Sequence, residues 1–334
     1  MAPKGEGAGA LSPAGLACGV QSPRSVAAPG GQEVSGTNSL EGYMHKPKLL
    51  LAALLTLALA APAAHATLWQ DNSIHYWYGS AFAEPGIGTS DAAGNPTSDT
   101  NIAKNVVSFT HASGYTHGGN FLNIDFLWSS PKDPVNGTGS TPINQGALEV
   151  YAVYRHHLSV NSFITSKPFE MGPLRDLHFT FGADFNTKNT TFAPEKMLPL
   201  GGLELSFAVP GFLNVGAFVA REWDTNGYAN KAVLFDYTLR LDAAWHINIP
   251  VGALSFQGFA SVVLPKGKDG FGGDTITEIL LHPKLMYDVG TLFGDKGYEV
   301  GVGWQYWLNK FGNDHSKLPG CAESALFVEA AIHI

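Results

Sequence analysis

Residues 233–247 read VLFDYTLRLDAAWHI. Taking every second residue collects Val233, Phe235, Tyr237, Leu239, Leu241, Ala243, Trp245 and Ile247 on one side. The other side holds Asp236, Thr238, Arg240, Asp242 and His246, with Leu234 and Ala244 as exceptions. Strand side chains alternate between the two faces of a sheet, so this stretch predicts a strand with one apolar face and one charged face. On a helix the same residues would be scattered around the axis.

The pattern recurs along the chain. Leu177, Phe179, Phe181, Ala183 and Phe185 oppose His178, Thr180, Asp184 and Asn186. Leu122, Ile124, Phe126 and Trp128 oppose Asn123 and Asp125. Residues 148–154, 203–209 and 298–306 alternate in the same way, and weaker candidates lie at 74–82, 106–113, 213–222, 253–264 and 276–288. The final segment sets Leu326, Val328, Ala330, Ile332 and Ile334 against Phe327, Glu329, Ala331 and His333. Together these give about 12 strands, most near the ~9–11 residues that cross a bilayer. Short turns near 114–119, 210–211 and 248–252 alternate with longer polar stretches at 84–104, 129–146, 188–196, 265–274 and 310–323. Short turns at one end and long loops at the other are the habit of outer-membrane barrels.

Charged residues make up 14% of the chain, against ~25% in an ordinary soluble protein. A chain of formal net charge −8 is a poor nucleic-acid binder. Residues 1–43 are rich in Gly, Pro, Ala and Ser without apolar periodicity, and are expected to be a disordered leader ahead of a misassigned start. Residues 44–66 read as a signal peptide: Lys46 and Lys48, an apolar run at 49–61, then Ala64, His65 and Ala66 as a small-residue cleavage site. That run is too short for a membrane-spanning helix. Residues 67–334 are expected to form one domain, an all-β, up-and-down antiparallel transmembrane barrel in the bacterial outer membrane. Trp69, Trp128, Trp223, Trp245 and Trp304 are candidates for its aromatic girdles. Of the two cysteines, Cys18 falls in the leader, so Cys321 is expected to be an incidental loop thiol.

Four stretches carry a family resemblance: NFLNIDFL at 120–127 with SSPKDP at 129–134, EVYAVYR at 149–155, FNTKN at 185–189 and KGKDGFG at 266–272. In these the chain resembles the nucleoside-specific channel-forming (Tsx-like) outer-membrane family. The resemblance implies a monomeric 12-stranded barrel whose narrow pore passes nucleosides.

Alternation alone nominates the lumen residues. The charged candidates are Asp125, Glu149, Arg155, Asp184, Asp236, Arg240, Asp242, Lys284 and Glu299; Glu204 and Glu329 share their parity. Phe121, Tyr151 and Phe327 are candidates to stack on a base, and Asn123 and the carboxylates to bond ribose hydroxyls. Mixed charge suits neutral polar solutes, held weakly enough to be released. The expected partners are nucleosides or similar solutes, outer-membrane lipid, and the assembly machinery acting on the last strand. No cofactor, metal or catalytic residue is expected: His156 and His157 point to opposite faces, the other histidines lack zinc spacing, and no nucleophile-elbow motif occurs. The competing readings are a barrel enzyme of phospholipase or protease type, marked by a lipid- or rim-facing Ser/His pair within hydrogen-bond distance, and a soluble periplasmic β-protein.

Overall fold

The computed structural model describes residues 67–133, 135, 145–190, 194–226 and 231–334. The leader and signal-peptide readings at 1–43 and 44–66 lie outside the described residues. The barrel strands are β1 (Trp69–Phe82), β4 (Ile102–Tyr115), β5 (Gly118–Ser129), β6 (Leu148–Ser159), β7 (Leu174–Lys188), β8 (Glu195–Phe207), β9 (Gly211–Asn226), β10 (Lys231–Asn248), β11 (Leu254–Val263), β12 (Glu278–Asp288), β13 (Tyr298–Leu308) and β14 (Ala322–His333). A small hairpin, β2 (Gly88–Ser90) and β3 (Pro96–Asp99), decorates the connection after β1. Each barrel strand pairs antiparallel with its sequence neighbour, and β1 closes the ring between β4 and β14. Ile334 is tied in as well, its N–H donating to Asn72 O at 2.7 Å. The expected number of strands, their order and the closure are all observed.

Register fixes the two faces. Trp77, Val106, Leu127 and Glu149 align across β1, β4, β5 and β6 and point inward. Their flanking residues point out, and these are apolar: Tyr76, Tyr78, Phe126, Phe179, Leu203, Val219, Leu241, Val302, Leu326 and Val328 are all exposed. A belt of this kind is costly in water and stable in lipid, where every backbone group must be paired, as closure ensures here. Trp128, Trp223, Trp245 and Trp304 lie on this outer face by register, and Trp69 caps the rim over Gly114. Trp77 and Trp307 point inward.

The opening stretch needs one correction. In β10 the register pairs Leu234 with Trp223 and resumes with Tyr237 opposite Arg221, so Phe235 and Asp236 form a bulge. The bulge sends Val233 and Phe235 to the inside, where the Lys266 ammonium sits 4.6 Å from the Phe235 ring centre. Asp236 is left exposed on the rim beside Gly267, with its N–H donating to Lys266 O at 2.9 Å. Asp236 is therefore not a lumen residue.

Two loop expectations also change. The polar stretch at 188–196 shrinks to a connection at 189–194, since β7 runs to Lys188 and β8 begins at Glu195. At the opposite end, the β6–β7 connection is long and carries a 3-10 turn at Asn161–Phe163. The short turns at 114–119, 210–211 and 248–252 and the longer stretches at 84–104, 129–146, 265–274 and 310–323 fall between strands as expected, whereas β9 and β10 are joined at the loop end by 227–230 alone and β12 and β13 at the turn end by 289–297.

Inside the wall, aromatic rings lie flat over glycines. A Cβ on Gly303 would come within 2.1 Å of the Phe327 ring, and one on Gly216 within 2.2 Å of the Phe218 ring. Such pairs let a strand curve while the ring covers the bare backbone. The outer belt yields a direct test. Val302→Arg, in the middle of β13, should cost ~2–4 kcal/mol of folding free energy in lipid vesicles. Urea titration of the refolded variant measures it.

Candidate functional site

The lumen carries its charges in layers. In its middle, four groups predicted from the sequence meet. Asp184, fully buried on β7, accepts from Arg155 Nη1 at 2.7 Å and from Arg240 Nη1. Arg240 Nε donates to Asp242 Oδ1 at 2.6 Å, and Arg155 Nη2 reaches Asp242 Oδ2 at 3.5 Å. The Tyr151 hydroxyl donates to Asp184 Oδ2 at 3.2 Å. The pairs link β6, β7 and β10, so the side chains reach over the wall between and narrow the bore. Two arginines and two aspartates leave this layer neutral.

A second layer rings the mouth at the loop end. Glu84, from the β1–β2 connection, takes Lys104 and Lys188, the latter at 2.8 Å. Lys188 also meets Asp133 at 2.8 Å, and Lys104 approaches Glu149 at 3.8 Å. Lys310 pairs with Glu323 at 2.8 Å and donates to Ala83 O at 2.6 Å. Glu222 takes Lys266 at 2.6 Å and Lys196 at 3.7 Å. All these side chains are buried. The β13–β14 loop dips into this mouth: Asn309 and Phe311 adopt left-handed backbone (φ 56° and 60°), a strained choice for a bulky ring. Phe311 packs edge-on against Trp307, with the Lys196 ammonium 5.5 Å from its ring centre.

A third feature is an aromatic wall. Phe259 on β11 stacks on His282 at 5.0 Å between ring centres, His282 on Phe327 at 4.6 Å, and Phe327 meets Trp77 at 5.1 Å. Phe327 is buried beneath the others, whereas Phe259 is 41% exposed.

The remaining predicted residues occupy separate places. Phe121, Asn123 and Asp125 face inward on β5; Asn123 accepts from Thr110 Oγ1 at 2.7 Å and donates to Asp125 at 2.8 Å. Glu149 belongs to the mouth, where it accepts from Asn186. Lys284 pairs with Glu329, which also meets His75 Nδ1 at 2.8 Å. Glu299 accepts from Gln257 at 3.0 Å. Alternation missed Glu84, Asp133, Lys266 and Lys310, which come from loops. It also passed over Trp77, Phe259 and His282, whose parity within candidate strands would have placed them inside. It found no metal-type grouping, yet register brings His157, His178 and Glu204 together from three strands.

No family model and no curated protein sequence matches this chain. Among solved structures it is similar to the NanC porin, at 10% identity over 78% of this chain and 98% of that one, with a TM-score of 0.44. It is also similar to the translocator domain of the autotransporter NalP from Neisseria meningitidis, at 12% identity over 87% and 97%, with a TM-score of 0.40. Both are outer-membrane barrels, and the likeness is too slight to carry a function across.

Two outcomes test this site. Asp184→Ala strands two buried guanidinium groups and should lower stability by ~3–5 kcal/mol; Asp184→Asn, which keeps one acceptor oxygen, should cost less. Cys321 is buried against Pro319, and burial pushes its thiol up to about 12. It should therefore resist a water-soluble maleimide at pH 8 in the folded protein and react once unfolded, which mass spectrometry reads directly.

Proposed function

We propose that the protein is a channel of the bacterial outer membrane for passive diffusion of nucleosides or similar small polar solutes, and not an enzyme. The observation that carries this reading is the lumen wall at Phe259. Its exposed ring is backed by His282, and it lies two residues from Ser261, the register partner of Asp242. A base stacked on Phe259 brings its ribose near the carboxylate of Asp242 and the guanidinium of Arg240. Base–aromatic stacking is worth ~1–3 kcal/mol and tolerates any base. The neutral Arg155/Asp184/Arg240/Asp242 layer suits uncharged solutes and disfavours neither sign of ion. Contacts of this modest strength allow release, as conduction requires. The Tsx-like stretches noted in the sequence support nucleosides as the solute and a monomer as the working unit. The apolar outer face of β14, with Leu326 and Val328 exposed, suits recognition by the assembly machinery.

The protein refolded into planar bilayers should give single-channel steps that nucleosides partly block, while sugars of similar size block less. Phe259→Ala should raise the nucleoside concentration for half-block about tenfold at unchanged conductance. Folded protein without conductance would end the channel reading; block by sugars and nucleosides alike would end the nucleoside part.

One observation favours a second reading. On the outer face, His111 Nδ1 lies 2.8 Å from Asn72 Oδ1, and its Nε2 lies 3.1 Å from Ser113 Oγ. This is the connectivity of a Ser–His–amide nucleophile relay on a lipid-facing surface. Against it, Ser113 is only 4% exposed, and the amides of β4 pair with β1 and β5, which leaves no evident oxyanion donors. Phospholipid hydrolysis by the wild type that disappears in Ser113→Ala would establish the enzyme reading.

A further inference from the structure

The lumen holds a cluster that neither the charge layers nor the aromatic wall explains. His157 on β6 stands opposite Thr180 on β7; His178, two residues before Thr180 on the same face, stands opposite Glu204 on β8. The three side chains point into the barrel towards the end where β1 begins and β14 ends. His157 Nδ1 lies 2.9 Å from Glu204 Oε1, and His178 Nδ1 lies 3.5 Å from the same oxygen. All three atoms fall within 4.8 Å of one another.

Two imidazoles crowd one carboxylate oxygen, and their contacts leave polar atoms unmatched. His178 Nδ1 and Glu204 Oε1 are covered from solvent, yet neither has a hydrogen-bond partner of acceptable geometry. Glu204 is nine-tenths buried, its side chain 9% exposed. Buried polar atoms left unmatched are costly and call for an explanation. A cation supplies one. Ligands at ~2.0–2.2 Å from a tetrahedral zinc stand about 3.3 Å apart, between the two separations seen here.

The surroundings fit the same purpose. The far nitrogen of His178, Nε2, lies 3.4 Å from Asp176 Oδ2. Asp176 is itself held by the N–H of Leu177 at 2.8 Å, the N–H of Asn161 at 3.1 Å and the hydroxyl of Ser159. A carboxylate fixed behind a histidine sets which ring nitrogen is free to ligate, as around protein-bound zinc. His157 Nδ1 lies 3.1 Å from Thr180 Oγ1, a contact that gives way when that nitrogen turns its lone pair to a metal. Two imidazoles and one carboxylate suit zinc and its first-row neighbours and disfavour calcium or magnesium, which take oxygen ligands.

We propose that His157, His178 and Glu204 form a divalent transition-metal site in the lumen wall, with Asp176 as the positioning residue and one coordination place left for water. Folded protein in detergent, loaded with zinc, dialysed and analysed by mass spectrometry, should retain about one zinc per chain. Cobalt in its place should give visible d–d absorption. The double variant H157Q/H178Q should lose both, and Asp176→Asn should weaken zinc ~10–100-fold. Should the double variant fail to refold, Glu204→Gln, close in shape to the native residue, provides the same comparison. Wild-type protein that retains no zinc would overturn the proposal. So would variants that keep zinc at the wild-type level.

Discussion

No strand of this barrel has a free edge, and everything else follows from that. In lipid an unpaired N–H or C=O costs several kcal/mol. β1 must therefore find β14 across the whole length of the sequence, and it does so from Ser73–His333 to Gly79–Phe327. Once the ring is shut, side-chain parity admits two destinations only. As far as Gly79, the even positions of β1 meet lipid and the odd ones meet the lumen, and each later strand inherits this choice from its neighbour's register. A slip of one residue would turn the apolar belt inward, so the belt and the closure enforce one another.

The lumen solves a different problem. Charges there are shielded from bulk water, so each needs a partner. The middle layer finds its partners within the wall, from β6, β7 and β10. The mouth does not: Lys104 and Lys188 depend on Glu84, and Glu323 depends on Lys310, both supplied by loops. The left-handed backbone at Phe311 is the local strain that brings Lys310 inward, offset by the pairs that it makes.

Much of this was legible in the sequence. Alternation located the strands, and the parity of Arg155, Asp184, Arg240 and Asp242 placed all four inside. It could not know that they meet, since that depends on the cross-strand register of β6, β7 and β10. It misplaced Asp236 because a bulge is invisible to a period-two reading until partner strands are aligned. It set aside His157 because its sequence neighbour His156 faces away, whereas its real neighbours are His178 and Glu204 on the next two strands. Loop residues that act in the mouth follow no periodicity, so alternation gives no sign of them, although Asp133 and Lys266 lie within the stretches that carry the family resemblance.

The dependence of the mouth on its loops bears on how this end of the molecule can diverge. Loops of membrane barrels ordinarily tolerate insertion and replacement freely. Here each contributing loop has a root and a tip. The roots, at Glu84, Asp133, Lys266 and Lys310, lie a few residues from a strand end and act as counter-ions for the wall. Among the described residues, the β2–β3 hairpin is a tip that carries no such duty. Sequence turnover on the loop side is thereby confined to the tips. A change at one root is compatible with the fold only when the matching charge in the wall changes with it.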